Sequence, residues 1–281
     1  MKKLGYLYIV LGLAIGAVSC TEKMDIVLDE SYTRLVVEGL ITNEPGPHVI
    51  KLTTTAPYFS NQPVPLVSGA HVFLSFNGDS IPLLESSPGI YTTPSHFTGI
   101  VGTTYRLGIR LKTPIGGSEY YYAESNLPRG MQPDSARVNF REGIRSNFWE
   151  IMLFGQEPKG EDAYMIRYLI NGKLETDSLI EWNSFDDRFF DGLYLNGVTV
   201  AFASQRRGQE INPGDTIILE IYGIERWFSD YLAFMQRELF PQTPLFSPSP
   251  SNVRGNLSGT ALGYFAAASV KRTATLYRPK P

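Results

Sequence analysis

Tyr105-Arg106-Leu107-Gly108-Ile109-Arg110-Leu111 decides the fold class. Apolar and polar residues alternate almost without a break, and side chains in a β-strand point to opposite faces with a period of two. Tyr105, Leu107, Ile109 and Leu111 therefore share a buried face, and both arginines meet water. Upstream, Val72, Leu74 and Phe76 alternate in the same way, Asn77-Gly78 supplies the positive φ of a two-residue turn, and Ile81 to Leu84 returns as the partner strand. Leu35-Val36-Val37 and Val49 to Leu52 read as further strands, and Ser87-Pro88-Gly89 as another turn. About seven short strands without a helical stretch suit an immunoglobulin-like or transthyretin-like sandwich over residues 32–126.

Leu127-Pro128-Arg129-Gly130-Met131-Gln132-Pro133 has two prolines and a glycine where no ladder continues easily, so residues 127–134 are the expected linker. Beyond it, residues 135–281 read as a second β-sandwich domain. Its strands are expected at Ala136 to Phe140, Trp149 to Phe154, Ala163 to Ile170, Lys173 to Ile180, Tyr194 to Phe202 and Thr216 to Tyr222, with hairpin turns at Asn171-Gly172 and Asn196-Gly197. One helix interrupts the pattern near 225–240. There Phe228, Leu232, Met235 and Leu239 recur at three- and four-residue steps, and Pro241 stops the run. Leu262 to Val270 resumes as a strand that closes the sheet. The fold class is mainly β: two β-sandwich domains with one helix in the second.

The amino terminus sets an expectation about the compartment. Lys2 and Lys3 precede an uncharged stretch from Leu4 to Val18, then Ser19 and Cys20, which is the layout of a signal peptide over residues 1–19. The stretch is short for a membrane span, which needs roughly 18 or more apolar residues, and Gly5, Gly12 and Gly16 interrupt it. Cys20 is the only cysteine, so no disulfide can form within the chain. Ala17-Val18-Ser19-Cys20 resembles a lipobox, with Ala17 where leucine is usual. That makes Cys20 the expected site of lipidation, by a diacylglyceryl thioether and an amide-linked acyl chain. Each buried methylene contributes about 0.8 kcal/mol, so the anchor would hold the chain at the membrane without spanning it. Residues 20–31, in which Cys20 is followed by Thr21-Glu22-Lys23-Met24-Asp25, form a charged tether similar to surface-export signals of Gram-negative lipoproteins.

The net charge of −3 and the scattered basic residues offer no stripe for a phosphate backbone, which argues against nucleic acid as a partner. The nucleophile elbow, P-loop, zincin helix and dinucleotide fingerprint are absent, and no cofactor is expected. His48, His71 and His96 lie far apart, as strand or loop residues rather than a metal set. Asp186, Asp187 and Asp191 invite a calcium reading because hard cations take oxygen ligands, but their spacing is not that of an EF-hand, and Arg188, Phe189 and Phe190 compete for the space. Paired-carboxylate hydrolysis, with Glu181 among the acids, needs a separation that spacing alone does not give. Asp215, in Asn212-Pro213-Gly214-Asp215, is turn chemistry.

The candidate contact residues are Trp182, Phe185, Asp186, Asp187, Arg188, Phe189 and Phe190, because interface centres favour aromatic residues and arginine. The commoner use of such rings is to cap a core. Leu245 and Phe246, within the proline-rich stretch Pro241 to Pro250, are a second candidate: a pre-extended segment docks at low entropic cost.

Leu35-Val36-Val37-Glu38-Gly39, Gly69-Ala70-His71-Val72, Gly89-Ile90-Tyr91, the Asp187 to Gly192 segment and Gly263-Tyr264-Phe265-Ala266-Ala267-Ala268 together resemble the domain of unknown function 4249 family of lipoproteins. The resemblance implies an outer-membrane lipoprotein, often encoded beside a TonB-dependent transporter and accessory to nutrient uptake, and it brings no catalytic residues. The leading expectation is thus a non-enzymatic binding or accessory subunit facing the cell exterior. A structural or adhesive surface protein is the alternative, and an uncharacterised hydrolase comes third.

Overall fold

The computed structural model describes residues 33–56, 62–239 and 253–279. Cys20, Leu245 and Phe246 lie outside the described residues. The amino-terminal half contributes β1 (Leu35–Thr42), β2 (Val49–Thr54), β3 (His71–Phe76), β4 (Asp79–Pro82), β5 (Leu84–Ser87), β6 (Ile90–Thr92), β7 (Thr104–Ile115) and β8 (Ser118–Asn126). The other half contributes β9 (Gln132–Arg141), β10 (Phe148–Gln156), β11 (Ala163–Ile170), β12 (Lys173–Leu174), β13 (Asn183–Asp186), β14 (Tyr194–Ser204), β15 (Thr216–Ile224), helix α1 (Arg226–Leu239) and β16 (Leu262–Leu276).

These strands form three sheets. The nine-stranded sheet runs β12-β11-β15-β16-β1-β2-β6-β5, with β13 also paired to β11. A four-stranded sheet, β4-β3-β7-β8, covers its amino-terminal part, and a three-stranded sheet, β14-β10-β9, covers the other part. The arrangement is mainly β and sandwich-like, and it is not a barrel.

Alternation along each strand divides the core. Tyr105, Leu107, Ile109 and Leu111 of β7 meet Leu35, Val37, Ile50 and Leu52 in the first sandwich core. Tyr164, Ile166 and Tyr168 of β11 face Ile151 and Leu153 of β10 in the second. Their neighbours Ala163 and Met165 turn to the opposite face, under Phe228, Tyr231 and Leu232 of α1. Burying a large apolar side chain stabilises by roughly 1.5–3 kcal/mol, and these faces are almost wholly excluded from water.

β16 serves both halves. Its first part pairs in parallel with β1, from Val36↔Leu262 to Thr42↔Ala268, and its later part runs antiparallel to β15. Phe265 and Ala267 enter the first core, and Tyr264, Ala266, Ala268 and Val270 pack under the helix. Two sandwiches therefore share one sheet, and residues 33–281 form one compact unit in which β9 already starts at Gln132, inside the expected linker.

Three local expectations need correction. Asn77-Gly78 and Asn171-Gly172 are tight hairpin turns with φ of 50° and 86°, and 50° and 82°. Asn196-Gly197 instead lies within β14, where Gly197 has φ of 79° and the register with β10 shifts, so the pair makes a bulge. The strand expected at Lys173 to Ile180 stops at Leu174, and a 3-10 turn takes Leu179–Glu181. In α1, Leu239 is 51% exposed and Tyr231 replaces it on the packed face.

Candidate functional site

β10 delivers Glu157 at its end, and the following loop brings Asp162 to the start of β11. β13 pairs with β11 through Ala163↔Asp186, which carries the next residue, Asp187, back to the same loop. One carboxylate oxygen from each of Glu157, Asp162 and Asp187 lies within 4.8 Å of the others. Glu157 is fully buried and Asp187 is 5% exposed.

The acids are held by a dense set of hydrogen bonds. Tyr164 Oη donates to Glu157 Oε1 at 3.0 Å, and Gly192 N donates to Glu157 Oε2 at 2.6 Å. Asp162 N donates to Asp187 Oδ2 at 2.9 Å, and Asp187 N donates to Asp162 O at 3.1 Å. Arg129 Nη2 reaches Asp162 Oδ2 at 2.7 Å and also donates to the Lys159 carbonyl. Gly160 N donates to Asp191 Oδ1 at 2.9 Å. Burial raises the Glu157 carboxyl above its ordinary range, and the Asp187 and Asp162 charges add to that effect, against the Gly192 and Tyr164 hydrogen bonds that lower it. The phenol of Tyr164 is likewise raised, first by burial and then by the acids beside it.

Three hard oxygen donors around one point are chemically suited to a divalent cation. Each is already an acceptor for the protein's own N–H or O–H groups, and the cluster's visible work is to tie the 157–162 loop to the 187–192 turn.

The calcium trio of Asp186, Asp187 and Asp191 does not converge. Asp186 accepts from Arg188 Nε at 2.8 Å and faces Arg226 at 3.6 Å, and the Arg188 guanidinium holds its carboxyl below the usual range. Asp191 turns to Gly160. The reading from sequence missed Glu157 and Asp162 because they lie about thirty residues upstream, and only the β11–β13 pairing joins them to the turn. A usable signal was Glu157-Pro158-Lys159-Gly160-Glu161-Asp162, an acidic turn directly before a strand.

The aromatic contact candidates also separate. Trp182 is 8% exposed and its Nε1 donates to the Thr176 carbonyl at 3.1 Å. Phe185 and Phe190 pack edge to face, 5.8 Å apart, against the second core. Trp182 and Asp187 are thus buried and unavailable to a partner as they stand. Phe189 is 89% exposed, and Arg188 beside it is open to solvent.

Histidines take no part. His48 Nε2 lies 3.2 Å from the Glu44 carbonyl, and burial lowers its pKa. His71 packs on Phe73, and His96 is exposed. Among the described residues the three acids are the only group with metal-ligand spacing. Asp215 closes a turn by accepting from Asn212 N at 2.6 Å and from Asn171 Nδ2 at 2.8 Å.

Fold and site together define a double β-sandwich body with a buried carboxylate knot between the 157–162 loop and the 187–192 turn. Residues 21–274 match the family described as Domain of unknown function (DUF4249), and the chain belongs to that family. No curated protein matches. Among solved structures, the adhesin InvE of Yersinia pseudotuberculosis is similar at 12% identity and a TM-score of 0.20, over 67% of this chain and 55% of the adhesin. This chain spans about half the length of that protein, and a likeness of this degree carries no functional argument.

Proposed function

We propose that the protein is a non-enzymatic accessory or binding subunit, anchored through lipid on Cys20 to the outer membrane and facing the exterior, where it serves a nutrient transporter of the TonB-dependent type. The observation that carries the reading is Cys20 itself, the sole cysteine, placed directly after a charged-then-apolar leader. Among the described residues no helix is long and apolar enough to cross a membrane. More than one acyl chain on a single residue gives stable attachment without a span. The Glu157, Asp162 and Asp187 carboxylates each accept hydrogen bonds from the protein itself, which supports a structural use for the site's acids rather than a hydrolytic one.

Replacing the cysteine tests this directly. Cys20→Ala moves the chain from the washed membrane fraction to the soluble fraction, and affinity isolation of the wild-type protein from gently solubilised membranes recovers a β-barrel transporter. Retention of the Cys20→Ala protein in washed membranes contradicts the anchor. Recovery of the protein alone or self-associated favours the adhesive alternative.

A further inference from the structure

Among the described residues, β9 and the later part of β16 each have a ladder partner on one side only, and the two run close to each other without pairing. β9 is the last strand of its sheet, bonded to β10 on one side only. The β1 pairing with β16 ends at Ala268, and Val270 N is capped by Asn43 Oδ1 at 2.6 Å. From Lys271 to Leu276, therefore, β16 has β15 alone as a backbone partner among the described residues.

A groove of about 540 Å³ lies between these two edges, lined by residues 137–141 and 275–279. Side chains alternate along a strand, so a groove lined by consecutive residues on both walls runs along backbone, where N–H and C=O groups point outward. Its floor is fixed: Val138 and Tyr277 are buried in the second core, and Tyr277 is bonded through its backbone to Gly214 and Asp215 at 3.0 and 2.8 Å. Its charged lining is of one sign. Arg137, Arg141 and Arg278 are exposed, and among the described residues no carboxylate lines the groove, although Arg141 also reaches Glu150 at 2.9 Å.

We infer that this groove is a docking site for an extended, acidic peptide segment of a partner protein, which adds a strand to the β9 or β16 edge. The unpaired backbone groups supply the hydrogen bonds of strand addition, and the arginines select the charge. A second copy of this chain docking through its own copy of the groove is a poor occupant, since it would bring the same three arginines to the same place. The inference deepens the accessory-subunit reading by naming the chemistry of its partner. It is tested separately from the lipid anchor, so either can fail without the other.

The experiment uses the full-length protein in mild detergent and an eight-residue peptide in which valine and threonine alternate with aspartate and glutamate. Hydrogen exchange followed residue by residue is expected to show new protection at amides within 137–141 or 275–278. Affinity falls as salt is raised, drops about tenfold or more in Arg137→Glu/Arg278→Glu, and is lost when the same peptide is N-methylated at alternate residues. The N-methylated arm uses unaltered protein, so it decides the question even if the double variant folds poorly. No protection with the acidic peptide, equal binding of its N-methylated form, or binding to anionic lipid vesicles without peptide binding overturns the proposal.

Discussion

At Gly263 the backbone has φ of 91°, and a Cβ placed there would lie 1.9 Å from the Val37 carbonyl oxygen. Both the left-handed backbone and the close approach of β1 exclude a side chain at the head of the shared strand. Gly263→Ala is expected to destabilise the fold by about 3 kcal/mol or more, read from denaturant midpoints, because backbone strain and overpacking add. A loss under about 0.5 kcal/mol would contradict that geometry. Glu157 gives a different test. Its carboxyl is raised by burial, so in the folded state it holds a proton at a pH where the unfolded chain has lost it. Stability from this group therefore falls as pH rises from the ordinary carboxylate range through the folded pKa, and is level above it. The stability difference between wild type and Glu157→Gln, measured across pH by urea titration, is expected to shift against the wild type over that window and then flatten. A difference independent of pH would remove Glu157 as a strained buried acid.

On the scale of elements, α1 shows what packs the outer face of the nine-stranded sheet. Glu225 leads into it: its Oε2 accepts from Ser125 Oγ at 2.6 Å and Asn126 N at 3.0 Å, so the helix start is tied to the end of β8. Phe228 is fully buried against Tyr264 and Tyr231, with ring centroids at 5.0 and 6.1 Å. Phe228→Ala is expected to cost about 3–5 kcal/mol in equilibrium unfolding, and a near-neutral result would mean the helix does not seal that face. This helix was legible in the sequence because its apolar residues recur over a long Gly- and Pro-free run. β7 was legible for the matching reason, its strict alternation. Asn196-Gly197 misled because the same dipeptide serves a turn or a bulge, and only the partner strand β10 decides between them. The carboxylate knot was half legible: Asp187 stands out in sequence, whereas Glu157 and Asp162 join it through a strand pairing that no local pattern announces. The open edges of β9 and β16 were not legible at all, since an edge is defined by which strands fail to arrive.

For the molecule as a whole, β16 makes one body of two sandwiches, because removing it takes Phe265 from the first core and leaves β15 without a partner on one side. Trp149, Trp182 and Trp227 all lie in the carboxy-terminal half, and far-ultraviolet circular dichroism reports strands in both halves. The two signals are expected to change together in a denaturant titration, and two separated transitions would show that the halves unfold independently. This body is the cargo of the proposed anchor, and the account of function rests on the chemistry of a single sulfur atom. Intact-mass and peptide mass spectrometry of the protein extracted from membranes tests it most directly. The account predicts a mature chain that begins at Cys20 and carries a diacylglyceryl thioether with an amide-linked acyl chain, whereas an unmodified Cys20 or a first residue far from position 20 would contradict it.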